Sequence, residues 1–389
     1  MSIPSSVYRR QASRGTAEVD MSDLPTTNLP LTNVPVRWTD DELLAEQPGL
    51  EPLVIAGRRC HGGLDADGRY QSPRSRFRNA AIAGWQAQHR ADFGTELLDA
   101  GLDTWPAPAP NVAQSRFLLE HDVREPIMAA ITRIGTVEGF GGAMRLWTLD
   151  DPQRYFAESI TGTTLAHLPG MFEAQARDEA GWGDEFGHKD MWFLARDIAF
   201  ETPDVEDLTE QMLFRLGVTR APGSPLPTEE EIRRRQEDTR VFRELPMAIE
   251  ALIGRMVNLL LVEISAAHLF AWAEELLADD ALVAGEGAAA RLVSYIRQDE
   301  APHVEYLRTA LSEMRDRTFV TDGGGAMAGT TVIGALWTRG VEDSTGERRA
   351  SAQRMARAEL EQAIADRRDR AELLATYELL ASKPQETLA

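Results

Sequence analysis

Two short segments of this chain repeat one another, and each pairs a carboxylate with an imidazole: DEFGHKDMW at 184–192 and DEAPHVEYL at 299–307. Each carries Glu-x-x-His, as Glu185/His188 and Glu300/His303, with Asp before the Glu and an acid two residues after the His. A lone Glu-x-x-His says little, because a chain with seven histidines is expected to hold about one by chance. Here a second match lies upstream of each copy. VEGFGGAMRLW at 137–147 aligns without gaps to VEISAAHLFAW at 262–272, with Glu second, two small residues a turn later and Trp nine after the Glu. The chain therefore holds two copies of one two-helix unit, a helix with a single Glu followed by a helix with Glu-x-x-His.

The spacing has a direct chemical consequence. Residues three apart on a helix project from one face, so Glu-x-x-His offers an oxygen and a nitrogen to one point. Two such helices packed against two single-Glu helices turn four carboxylates and two imidazoles inward. That donor set suits hard-to-borderline ions such as iron or manganese, with bridging carboxylates holding two ions close together. The surroundings of the single glutamates agree. Glu263 lies among Met256, Leu259, Leu260, Ala266, Ala267 and Phe270, and Glu138 among Ile131, Ile134, Gly135, Gly141 and Gly142. Neither has Lys or Arg one turn away, and a carboxylate on an apolar face is costly unless a cation neutralises it. The small pairs Gly141/Gly142 and Ala266/Ala267 either leave room beside the ions or let helices approach closely.

The remaining chain reads as all-α, with no convincing strand alternation. Residues 1–35 form a Ser-, Thr-, Pro- and Arg-rich flexible leader, and 36–110 a helical extension opened by a Thr39/Glu42 capping box and closed by the stiff TWPAPAP segment at 104–110. Long helical patterns at about 113–148, 170–200, 246–279 and 286–317 make up a core unit over 111–320, with a polar insert at about 201–245 that holds a Thr228/Glu231 capping box. The glycines at 323–325 read as a hinge or lid within 321–389, and charged helices follow at 350–380, to cover the core or join subunits. Pro302 lies inside one of the metal-binding patterns and marks a kink or a fresh helix start; it aligns with Gly187, another poor helix former.

Composition narrows the partners. A formal charge of −21 argues against nucleic acid and anionic membranes. The one cysteine, Cys60, excludes a disulfide framework, and Cys60-His61 is a poor nucleophile pair because sequence neighbours rarely point at each other. The apolar stretch 252–272 carries Arg255, Asn258, Glu263 and His268, so it reads as a buried helix rather than a membrane span, and a cytoplasmic protein is expected. His268, five residues past Glu263, turns about 140° from it on a helix and reads as a core histidine, with an extra metal ligand as the alternative. The cluster Arg69, Arg74, Arg76 and Arg78 reads as a solvated helix start, with docking of an anionic carrier as the alternative.

The order Glu, Glu-x-x-His, Glu, Glu-x-x-His resembles the ferritin-like di-iron carboxylate proteins over about 113–317, roughly half of the chain. The resemblance implies a four-helix bundle with added N- and C-terminal helices. It makes Glu185 and Glu300 bridging ligands, Glu138 and Glu263 terminal ligands, and His188 and His303 ligands to one ion each. Asp184 and Asp299 match the acid that orients a ligating His through its other ring nitrogen. Gly187 and Pro302 stand where the hydroxylases and acyl-carrier-protein desaturases of that superfamily carry Arg. The implied activity is an oxygenase or oxidase in which two Fe ions, or Mn and Fe, activate O2 to oxidise a small or carrier-bound organic substrate at C–H or N–H. A separate reductase or ferredoxin would supply electrons, and a homodimer is expected. The alternatives are iron oxidation and storage, or a radical-generating subunit using Tyr295 or Tyr306.

Overall fold

Thr39 caps the first helix through the reciprocal box its sequence predicts: its hydroxyl accepts from the Glu42 amide, and the Glu42 carboxylate accepts from the Thr39 amide. The computed structural model describes residues 38–99, 101 and 105–381; the leader at 1–35 and the first residue of the 104–110 segment lie outside these. Helix α1 (Asp40–Leu43) leads to strands β1 (Glu51–Ile55), β2 (Arg58–Leu64) and β3 (Tyr70–Gln71), then to α2 (Ser75–Phe93). Next come α3 (Val112–Glu120), α4 (Glu125–Phe140), α5 (Leu168–Ala180) and α6 (His188–Ala199). The polar insert holds α7 (Thr209–Arg215) and α8 (Glu229–Thr239), the second opened by the Thr228/Glu231 box. The long helices α9 (Met247–Leu277) and α10 (Ala288–Arg315) follow, then β4 (Thr318–Val320), β5 (Ala326–Ala328), α11 (Gly329–Asp343), α12 (Arg349–Ala363) and α13 (Arg370–Ala381).

The protein is mostly helical, with two small sheets where helices or loops are expected from sequence. β1, β2 and β3 form an antiparallel sheet. Its first turn is Ala56-Gly57, both at positive φ, the two-residue geometry that matches strand twist. These strands are short and one is rich in Arg and Gly, so period-two alternation is hard to detect in them. The 323–325 glycines are the turn of the β4–β5 hairpin rather than a hinge.

Two of the expected long helices are broken. The 113–148 pattern stops at Glu120 and restarts at Glu125, and the 170–200 pattern leaves the helix after Ala180 and re-enters it at His188. α10 runs unbroken through Pro302, so no new helix starts there. Pro302 has no N–H to offer the Gln298 carbonyl, and burial of the residues around it offsets that loss.

α9 packs along α10, α4 along α6, and α10 also against α5 and α6. The apolar core lies in two parts on either side of a buried polar layer. On α9 the division falls between Ile264 and Ala266, and on α10 between Ile296 and Val304. Among the described residues no helix is long and apolar enough to cross a membrane.

Candidate metal centre

The polar layer is built from α4, α5, α6, α9 and α10. Glu138 of α4, Glu179 of α5, His188 of α6 and Glu300 of α10 bring one ligand atom each to within 4.8 Å of one another, and so do Glu179, Glu263 of α9, Glu300 and His303. The two sets share Glu179 and Glu300. His188 Nδ1 lies 3.0 Å from Glu179 Oε2, 2.8 Å from Glu300 Oε1 and 3.5 Å from Glu138 Oε2. His303 Nδ1 lies 2.7 Å from Glu300 Oε2 and 3.3 Å from Glu179 Oε1. Each shared carboxylate therefore presents one oxygen to each histidine, while Glu138 serves only the His188 side and Glu263 only the His303 side.

Five of the six ligands expected from sequence meet here, and Glu185 does not. Its Oε1 is 2.5 Å from Arg59 Nη2, and its place is taken by Glu179. Asp184 is corrected with it: its side chain is 84% exposed, and Asp178 stands where a partner to Asp299 was expected. The cause is local. Gly181, with φ +80, ends α5, and Gly183, with φ +65, turns the chain, so Glu185 and His188 never share a helical face. Gly187 lets the loop fold back on α5; a Cβ there would sit 2.7 Å from the Asp178 carbonyl and 2.8 Å from that of Glu179. The first copy is thus Asp178-Glu179 on one helix and His188 at the start of the next. A signal was available: ARDEA at 176–180 holds an Asp-Glu pair with no glycine before the helix end, and Glu179 follows Glu138 by 41 residues, nearer to the 37 of the second copy than the 47 of Glu185. His268 is half-buried and belongs to none of the possible metal-holding groups among the described residues.

The outer nitrogens of the histidines are held crosswise. His188 Nε2 faces Asp299 Oδ2 at 3.5 Å, and His303 Nε2 faces Asp178 Oδ2 at 3.0 Å. An aspartate accepting from Nε2–H leaves the Nδ1 lone pair directed at the carboxylates. The aspartates have unlike supports. Asp178 accepts from Arg74 and Arg78, both fully buried rather than a solvated helix start. Asp299 accepts from the Tyr70 hydroxyl at 2.7 Å and lies 2.8 Å from His61 Nε2. Gln175 Nε2 donates to Glu263 Oε1 at 2.6 Å, and its own oxygen accepts from the Tyr306 hydroxyl at 2.6 Å. His61 and Tyr70 carried no usable sequence signal, because a strand residue reaching a distant helix has no periodicity to betray it.

Electrostatics mark this layer as short of positive charge. Burial, then Glu179, pushes the Glu138 carboxyl well above the usual carboxylate range; burial, then Glu300 and Glu179, does the same to Glu263. Burial opposes charge on both histidines, yet Glu300 and the other carboxylates raise His188 and His303 well above the ordinary imidazole range. Burial also opposes ionisation of Glu179, but His188 and His303 hold it low. Glu138, Glu263, His188 and His303 all favour their protonated forms, which offsets part of the buried negative charge. Asp299 Oδ1 is buried without a hydrogen-bond partner among the described residues, and Glu300 Oε1 has only its contact with His188, which leaves both oxygens able to take another donor or an ion. Four carboxylates and two neutral imidazoles fit two hard-to-borderline divalent ions.

Gly141 and Gly142 settle into the close-packing role: Gly141 lies against the Glu179 side chain, where a Cβ would come within 2.7 Å of Glu179 Cβ, and Gly142 lies against Ala180. No family model matches this chain, and no curated protein and no solved structure matches it either.

Proposed function

We propose that the protein binds two metal ions, iron or manganese with iron, on a ferritin-like bundle and acts as an O2-dependent oxygenase or oxidase. The observation that carries this reading is the pair of four-residue ligand sets sharing Glu179 and Glu300. Two redox-active ions held there would supply the electrons that reduce dioxygen for oxidation of a C–H or N–H bond in an organic substrate. The chain's own residues then have definite tasks. Glu179 and Glu300 span the two positions, Glu138 and Glu263 close one end each, and His188 and His303 give one nitrogen apiece. Asp178 and Asp299 fix the tautomers. The flanking apolar cores keep bulk water out, which strengthens every charge interaction inside. The protons that Glu138 and Glu263 hold in the metal-free layer must leave when ions enter. An external reductase or ferredoxin would return electrons after each turnover.

The test is anaerobic loading with Fe(II), metal analysis, then O2 uptake. The proposal expects about two ions per chain and O2 consumption that Glu300→Ala abolishes. Less than one ion per chain, unchanged by Glu300→Ala, would sink it. Uptake of many irons per chain on exposure to O2 would favour iron storage instead.

One observation favours a radical-generating role as the second reading: Tyr306 is fully buried and joined through Gln175 to Glu263. A tyrosyl radical seen by electron paramagnetic resonance after O2 exposure, and lost in Tyr306→Phe, would support it.

A further inference from the structure

We infer that the two metal positions are unequal, and that the Glu138–His188 position takes up a divalent cation before the Glu263–His303 position. The inference rests on the two-ion reading above. The inner ligands are close to symmetric, with one private glutamate, one histidine and two shared carboxylates at each position. The asymmetry lies behind the histidines.

Behind His303, Asp178 receives Arg74 Nε at 3.1 Å and Arg78 Nη1 at 2.5 Å, from two guanidiniums that are each about 1% exposed. One carboxylate with two permanent cations leaves that side with one net positive charge. Behind His188, Asp299 has only Tyr70 and His61. With His61 neutral that side carries one net negative charge, and with His61 protonated it carries none. Counting the buried groups, the His303 side is in either state the more positive by at least one elementary charge; Glu46, which also acts on Arg74, is exposed and screened by solvent. All these groups are buried, so water and salt screen the difference little.

The hydrogen bonds act in the same sense, with one exception. An aspartate already committed to two guanidiniums is a poorer acceptor for His303 Nε2–H, which makes Nδ1 a weaker donor. Gln175 Nε2 donates to Glu263 Oε1 at 2.6 Å and to Glu179 Oε1 at 3.3 Å, drawing electron density from ligands on that side. The exception is length: Asp299 to His188 is 3.5 Å, against 3.0 Å for Asp178 to His303. That favours the His303 side only through one hydrogen bond. A whole elementary charge at low dielectric outweighs it.

Mn(II) added to the metal-free full-length protein tests this, using anomalous diffraction at half an equivalent and solution titration followed by electron paramagnetic resonance. The expected result is occupancy at Glu138/His188 exceeding that at Glu263/His303 by about tenfold or more. Glu138→Gln should then remove the tighter binding step and Glu263→Gln the weaker one. Arg78→Gln should narrow the ratio several-fold, and Arg78→Lys should keep it. Equal occupancy, or filling of the Glu263 side first, overturns the inference while the two-ion reading stands. A folded Arg78→Gln protein with the ratio unchanged overturns the charge argument. No bound Mn(II) at either position overturns the two-ion reading itself.

Discussion

Glu179 and Glu185 are the same residue type in the same local context, an Asp-Glu pair ahead of His188, and only one of them reaches the polar layer. What separates them is backbone. Glu179 ends a helix whose face already points inward, whereas Glu185 follows two glycines at positive φ and meets Arg59 instead. The residue types of the site and five of its ligands were legible because chemistry fixes them: a buried carboxylate needs a cation, and a helical repeat brings such groups together. The sixth was misread because Glu-x-x-His spacing implies a shared face only where a helix exists. The charge state of the layer gives a prediction at this scale. Glu138, Glu263, His188 and His303 all hold protons more tightly than usual, so two divalent ions entering should displace up to about four protons. Calorimetric titration in buffers of different ionisation enthalpy measures that number, and affinity should rise with pH across the neutral range. Release of no protons would contradict the charge distribution described.

At the scale of elements, the 181–187 loop decides where His188 sits. Phe186 N–H donates to the Arg59 carbonyl at 2.9 Å and its carbonyl accepts from His61 N–H at 3.0 Å, so the loop adds one residue to the edge of β2. Gly187 has an ordinary φ of −84, and its requirement is steric. Gly187→Ala should cost about 1–3 kcal/mol, as overpacking does, and weaken metal binding along with stability. Denaturant unfolding checks it, and a change under about 0.5 kcal/mol, the range of neutral surface substitutions, would contradict the close packing. Another element-scale device is Glu313 on α10, which accepts from the Thr164 and Leu165 amides at 3.0 and 3.1 Å. Burial pushes its carboxyl up to about 7 from 4.5. A folded-state value above the unfolded one means the folded protein keeps a proton that the unfolded chain releases. Stability from this group is therefore full below about pH 4.5 and lost as pH rises to about 7, by about 3 kcal/mol. The difference in unfolding free energy between wild type and Glu313→Gln should drift by that amount over the interval; a constant difference would contradict the assignment.

For the whole molecule, the chain N-terminal to the repeated units is structural support for the buried polar layer. Arg74 at the start of α2 and Arg78 within it brace Asp178, and His61 and Tyr70 of the small sheet brace Asp299. Sequence periodicity showed the long helices α9 and α10, and the capping boxes showed the helix starts at Thr39 and Thr228. Periodicity could not show these supports, because they are contacts between segments 100 or more residues apart. Tyr70→Phe keeps the ring stacked on Tyr295 and removes the hydroxyl that holds Asp299 in place, and this loss of positioning outweighs the gain in acceptor strength, so metal affinity should fall by about tenfold with little loss of stability. Equilibrium dialysis measures this, and unchanged affinity would detach the sheet from the centre. The central claim is that two ions share Glu179 and Glu300, and the most direct measurement is metal content per chain after reconstitution of wild type, Glu179→Gln and Glu185→Gln. About two ions in wild type and in Glu185→Gln, with one or none in Glu179→Gln, is the predicted result. Two ions retained by Glu179→Gln, or their loss in Glu185→Gln, would contradict it.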